Sequence, residues 1–212
     1  MSIDASYTRM RALGFNPKRI LDVGAYKGDW TRHARYFFPD ASFMMVEANV
    51  HQELHSVGPF INAVLSDTEK EVPWYSIGGT GDSTMKERTA HYASVTPVSR
   101  RSTTLDVLFP NDAFDFIKVD CQGAEIDILK GGSKLVQACS AILLECPFAC
   151  QYNAGCPSFA GYIAYLDEIG FMPFEVTEIH MSKVVFQIDI LFVRKTHPLA
   201  AAAQSVVDRM GS

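Results

Sequence analysis

Residues 19–28 read RILDVGAYKG, and this stretch decides the fold. A short apolar run stops at Gly24, and Gly28 closes the turn that follows it. Helical spacing takes over at once: Trp30, Ala34, Phe37 and Phe38 fall on one face, and Pro39 ends the pattern. An apolar run of this length bounded by a turn reads as a strand buried on both faces. Strand, glycine turn and amphipathic helix are the first half of a βαβ unit.

The alternation repeats downstream. SFMMVE (42–47) is a second buried strand that ends in a carboxylate, and after a short helical stretch FINAVLSD (60–67) is a third. VPWYSI (72–77) is expected at an edge, because its proline cannot donate to a ladder on that side. Residues 78–102, rich in Gly, Ser and Thr, are expected to be the longest irregular stretch. FDFIKVD (114–120) is a fourth core strand, AEIDILKGG (124–132) a helix with a glycine stop, and AILLECP (141–147) a fifth strand. A helix around 158–169 leads to FMPFEVTEI (171–179) and VVFQIDILFVRK (184–195), which are close enough in sequence to pair as an antiparallel hairpin. The expectation is one α/β domain with a doubly wound, mostly parallel seven-stranded sheet and a C-terminal antiparallel hairpin. Its core would run from about residue 19 to 195, with the first residues and the tail after His197 outside it.

Composition narrows the function. The 212 residues are 48% hydrophobic and 20% charged, a globular balance large enough for a sizeable core. A net charge of -5 argues against nucleic acid, whose phosphates need a basic footprint. No run approaches the roughly 18 apolar residues of a membrane span. MSIDASYTRMRALGF (1–15) has no apolar segment behind a basic start, so it is not read as a signal peptide. Cys121, Cys139, Cys146, Cys150 and Cys156 are an odd set without a disulfide framework's spacing, which fits a reduced, cytoplasmic setting. Cys146, Cys150 and Cys156 lack the paired C-x-x-C of a zinc site, so no metal is assigned.

In open α/β sheets ligands lie outside the carboxyl ends of the strands. The turn Asp22-Val23-Gly24-Ala25-Tyr26-Lys27-Gly28 ends the first strand, and its G-x-x-x-G spacing differs from the G-x-G-x-x-G of dinucleotide binders. Glu47 ends the second strand, where a carboxylate can accept from two ribose hydroxyls, and Ser66 and Asp67 end the third, where an adenine edge would lie. On the fourth strand Phe116, Lys118 and Asp120 share one face. A lysine inside a central strand is costly unless paired, and Asp120 and Glu145, at adjacent strand ends, are its expected partners. Asp120 and Glu145 could instead share Mg²⁺, although Lys118 would compete for the same charges.

Taken together, LDVGAYKGDW, the glutamate of MMVEAN, NAVLSD, TTLDVLF, DFIKVDCQGAEIDILKGG and ILLE resemble the FkbM-type methyltransferases over roughly residues 19–195. The resemblance implies a Rossmann-like class I fold, S-adenosyl-L-methionine as cofactor, and methyl transfer to a hydroxyl of a sugar or small metabolite. It implies that Asp22, Gly24, Ala25 and Gly28 hold the methionine portion, Glu47 the ribose, and Ser66 and Asp67 the adenine side. Lys118 and Asp120 match the family's fourth-strand motif, so both count as catalytic candidates and Asp120 as a cofactor-binding one as well. Tyr26 stands where the family usually has asparagine, and Cys121-Gln122 where it commonly has a hydrophobic residue and glutamate.

A hydroxyl nucleophile must lose a proton as it attacks, and the candidate bases are Asp120, Glu145, His91 and His180. His91 lies in the 78–102 stretch, which could close over the site as a lid, and His180 in the expected hairpin turn. Two other classes stay open at this point: a nicotinamide-dependent oxidoreductase, disfavoured by the glycine spacing, and a non-catalytic scaffold or cofactor-binding protein of the same fold. A homo-oligomer is equally open.

Overall fold

The computed structural model describes residues 2–210. Its main sheet has seven strands: β1 (Arg19–Val23), β2 (Ser42–Glu47), β3 (Phe60–Asn62), β7 (Phe116–Val119), β8 (Ala141–Pro147), β9 (Phe171–Met181) and β10 (Val185–Arg194). Their spatial order is β3-β2-β1-β7-β8-β10-β9. The first five run parallel, while β10 enters antiparallel between β8 and β9. The chain winds outward from β1 in one direction through β2 and β3, then returns to pair β7 on the other side of β1. The carboxyl ends of β1 and β7 therefore diverge into opposite connections and leave a crevice between them.

Helices cover both faces. α1 (Ile3–Ala12), α2 (Asp29–Phe37) and α8 (Pro198–Asp208) supply one apolar layer, in which Tyr7, Met10, Phe38, Phe116 and Leu199 are all buried. On the opposite face α4 (Leu105–Leu108), α5 (Glu125–Gly131), α6 (Ser133–Ala138) and α7 (Phe159–Glu168) pack around Leu21, Ile117, Leu129, Leu144 and Tyr162. A single turn, α3 (Leu54–Val57), links β2 to β3. No described helix is long and apolar enough to cross a membrane.

Three expectations change. The segments carrying α1 and α8 do not lie outside the core. Ser2 caps α1, His197 caps α8 with Pro198 in its first turn, and both helices bury side chains in the layer around Phe116. The third strand is not continuous either: after Asn62 the chain turns away, and β4 (Val64–Leu65) pairs with Ser102 and Thr103. Asn62 Nδ2 pins this corner by donating to the carbonyls of Glu47 and Ala48 at 2.9 and 3.0 Å. Finally, β6 (Val98–Thr103) arises within and just beyond the stretch read as irregular, and joins β4 and β5 (Glu71–Trp74) in a small second sheet ordered β4-β6-β5. Pro73 lies in β5, an edge strand of that small sheet, as its missing N–H requires.

The aromatic packing of α1 makes its contribution measurable. The Tyr7 ring lies edge-on to Phe38 at 5.2 Å, Phe37 at 5.5 Å and Phe116 at 6.1 Å. Its hydroxyl is buried with no hydrogen-bond partner. Tyr7→Ala is expected to cost about 3–5 kcal/mol in urea unfolding, as other large-to-small aromatic truncations do. Tyr7→Phe removes only the unpaired hydroxyl and should stay within about 1 kcal/mol of the parent.

Candidate functional site

The carboxyl edge is organised by Lys118, which sits on β7 with 8% of its surface exposed. Its Nζ lies 3.3 Å from Asp120 Oδ2 and 3.6 Å from Asp22 Oδ1, and it donates to the Gly24 carbonyl at 3.2 Å. Burial alone would favour the neutral amine, but the Asp120 and Asp22 carboxylates outweigh it and hold Lys118 above its ordinary value. Glu145, the other expected partner, makes no ion pair with Lys118; the buried Asp22 takes that place.

Asp22 is fully buried and does not line the cavity described below. Burial pushes its carboxyl up, with Lys118 and then Thr31 pulling it back. Thr31 Oγ1 donates to Asp22 Oδ2 at 2.7 Å, so Asp22 ties α2 to β1 and to Lys118 from beneath the site. Gly28 is likewise off the cavity: at φ 79° it starts α2, and a Cβ there would come within 2.9 Å of Val57.

Gly24 does line the cavity, at φ 74°. A Cβ on it would lie 1.9 Å from the Asp120 carbonyl oxygen. The glycine is thus demanded by the neighbouring β7 turn, quite apart from any ligand. Ala25 and Tyr26 follow it along the wall. Tyr26 is held at φ 48°, and its amide donates to Glu47 Oε2 at 2.7 Å. Asn49 N donates to Glu47 Oε1 at 2.8 Å. Glu47 is thereby fixed in the cavity wall by one amide on each oxygen, with half of its roughly four lone-pair positions still available.

The cavity runs from this turn past Ala63, Val64, Leu65 and Trp74 to Asp120 and Gln122. Ser66 and Asp67, expected on the adenine side, do not line it. Asp67 turns to Lys70, and Ser66 Oγ donates to Asp67 Oδ1. Leaving the main sheet at Asn62 brings the apolar residues 63–65 to the wall and carries Ser66 and Asp67 past it.

Part of the 78–102 stretch forms the opposite wall, through residues 79, 80 and 82–84. Asp82 fastens it: Oδ2 accepts from Asn49 Nδ2 at 2.9 Å, and Oδ1 from Tyr92 Oη at 2.7 Å. Burial would raise Asp82, but these donors together with Ser76 and the Ile77 amide bring it below its ordinary value. Ser83 Oγ donates to the carbonyls of Cys121 and Gln122 at 2.8 and 3.1 Å, which joins the wall to the β7 turn. His91 is exposed and does not reach the cavity.

That β7 turn carries a group the sequence reading passed over. Glu125 is fully buried; its Oε1 accepts from Cys121 N at 2.8 Å and Gly123 N at 3.1 Å, and its Oε2 from Tyr162. It shapes the loop that presents Gln122 at φ 55°. Gln122 Nε2 donates to Asp120 Oδ1 at 3.0 Å and to Glu145 Oε2 at 2.7 Å. The neutral amide thus occupies the space between the two acids that were considered for Mg²⁺. Glu145 stands behind Gln122, off the cavity; burial and then Asp120, Glu125 and Asp189 push it well up. His180 lies in β9 rather than in the hairpin turn, with Asp189 at 3.5 Å. Asp189 holds His180 above its ordinary value, with burial opposing.

Removing the central cation tests this electrostatic arrangement. Lys118→Met should leave Asp22 buried without a counter-charge and cost about 3–5 kcal/mol in denaturant unfolding.

Similarity to known proteins follows the same segments. A family model described as the methyltransferase FkbM domain matches residues 22–173. Among solved structures, an FkbM methyltransferase from Methylobacillus flagellatus KT superposes with a TM-score of 0.57 at 13% identity, covering 91% of this chain and 48% of that one. The chain thus spans about half the length of that protein. The Burkholderia thailandensis 1,6-didemethyltoxoflavin-N1-methyltransferase, solved with 1,6-didemethyltoxoflavin and S-adenosylhomocysteine, gives a TM-score of 0.52 at 13% identity over 92% of this chain and 78% of its own. The Synechocystis PCC 6803 magnesium protoporphyrin IX methyltransferase, solved with S-adenosylmethionine, gives 0.50 at 13% identity over 91% and 77%. At such identities the structural likeness is one of fold. No curated protein sequence matches the chain. Because the family model spans well over half of the sequence, from Asp22 on β1 to Pro173 on β9, the chain belongs to the FkbM methyltransferase domain family.

Proposed function

We propose that this chain is an S-adenosylmethionine-dependent methyltransferase that methylates a hydroxyl group on a sugar or other small metabolite. The observation that carries the reading is Glu47, a strand-end carboxylate set in a cavity wall beside the glycine turn, in a chain of this family. The residues fit the cofactor. Glu47 keeps acceptor positions for two ribose hydroxyls, while Ala63, Val64, Leu65 and Trp74 offer an apolar surface suited to a base. Gly24, Ala25 and Tyr26 would pass along the methionine portion. Ser66, Asp67, Gly28 and Asp22 do not line the cavity, and Asp22 is bound to Lys118 and Thr31.

The sulfonium supplies an activated methyl group when the cofactor is bound. What remains for the protein is to align the acceptor and to take its proton. Asp120 is the acid best placed for that work, since it lines the cavity and its side chain is 37% exposed. Lys118 and Gln122, which also line the cavity, each hold one of its two oxygens. Glu145 and His91 are off the cavity, which makes them weaker candidates for direct proton transfer. Asp82, Ser83 and Gln122 bring hydrogen-bonding groups to the lining, in keeping with a hydroxylated acceptor.

Calorimetry with S-adenosylhomocysteine and NADH tests the cofactor directly: the first should bind and the second should not. Glu47→Ala should weaken S-adenosylhomocysteine by about 1–3 kcal/mol, the range for hydrogen bonds to a charged group, while the circular dichroism spectrum is unchanged. An unaltered affinity would remove Glu47 from the site. Asp120→Asn should fold and bind cofactor but lose at least about 100-fold in turnover at saturating cofactor, the scale of a general-base contribution. Turnover near the parent's would make Asp120 a structural acid.

A further inference from the structure

Behind Gln122, away from the cofactor cavity, three potential ligands from three adjacent strands converge. Glu145 on β8 is directly opposite Asp189 on β10, and His180 on β9 stands beside Asp189. One ligand atom from each lies within 4.8 Å of the others. Like charges directly opposite on antiparallel strands repel: Asp189 helps to push the Glu145 carboxyl up, and a divalent cation between the two would relieve that repulsion. Lys118 cannot serve, because its ammonium is committed to Asp22, Asp120 and the Gly24 carbonyl. Gln122 is neutral and takes one oxygen of Glu145, turning that carboxylate toward neither lysine nor arginine. Asp189 Oδ1 is buried from solvent without a well-formed hydrogen bond, and its ionic neighbour is His180 Nε2 at 3.5 Å. Two ligand atoms each about 2.1 Å from a tetrahedral ion lie about 3.4 Å apart, so the 3.5 Å between these two atoms fits a shared metal.

We infer that Glu145, His180 and Asp189 form a binding site for one divalent first-row cation such as Mn²⁺, Co²⁺ or Zn²⁺. The donor set sets the class. Two carboxylates alone would suit Mg²⁺ or Ca²⁺, whereas an added imidazole favours a borderline ion, and no thiolate is among the ligands. Three protein ligands leave at least one position for water or for an oxygen of a bound molecule. The inference stands apart from methyl transfer, because occupancy is read without turnover.

Co²⁺ titration of the full chain at neutral pH, followed by visible absorption, tests it. One equivalent should bind, with weak ligand-field bands and no thiolate-to-cobalt charge-transfer band. His180→Ala and Asp189→Asn should each lower the affinity by at least the roughly 10–100-fold that even outer-sphere changes cost. Both should still bind S-adenosylhomocysteine as the parent does. Asp189→Asn keeps the side-chain shape and decides the matter should His180→Ala fail to fold. Absence of stoichiometric binding, affinity unchanged in Asp189→Asn, or a thiolate band from Cys121, Cys150 or Cys156 would each overturn the inference.

Discussion

Everything at the carboxyl edge depends on one buried ammonium. Lys118 reaches from the middle of the sheet to two carboxylates and a carbonyl, and those three acceptors belong to the ends of the two strands that flank the crevice. A charge withdrawn from water is tolerated only when its partners are held in place. That demand fixes the β1 turn against the β7 turn. Through Asp22 and Thr31 it also fixes the start of α2. The contact between turns is close enough that Gly24 has no room for a side chain. A second buried acid, Glu125, does for the β7 loop what Asp22 does for the β1 loop, by gathering amides and a tyrosine hydroxyl around one carboxylate.

The parallel strands were legible because each is buried on both faces and therefore appears as a mostly apolar run between turn residues. β1, β2, β7 and β8 all have this character. The closing hairpin was legible from length and proximity alone. β6 was not, because VSRRST carries no apolar periodicity: its first residues are exposed, and its partners are short segments far away in sequence. The break in the third strand was hidden for a related reason. Val64 and Leu65 look like a continuation of the strand, and only pairing with Ser102 and Thr103 shows that they leave it. In α1 few positions are buried, so it looked like a polar extension, although His197-Pro198 did mark the start of α8.

Of the candidate site residues, Gly24, Glu47 and Asp120 line the cavity, and all three stand at strand ends, where the sheet itself sets their position. Several candidates beyond the strand ends do not line it. Ser66, Asp67 and His91 depend on how a connection turns, and that is decided by long-range pairing. The two departures from the family pattern gain a physical meaning. Tyr26 and Gln122 are the only described non-glycine residues with positive φ, one after each of the strands flanking the crevice. Asparagine adopts this conformation with less strain than tyrosine, which accounts for the residue usual at the first position. At the second, glutamine replaces a charge with an amide that can hold two acids together.

The closing hairpin also bears on how copies of this chain could meet. An open sheet exposes a row of unpaired amides and carbonyls at each margin, an invitation to strand-by-strand growth. Here one margin is β3, only three residues long. The other is β9, whose ladder with β10 is interrupted at three places by irregular register. Such interruptions twist and bend a strand away from the flat geometry that templating needs. Both margins are therefore poor seeds for intermolecular β-pairing.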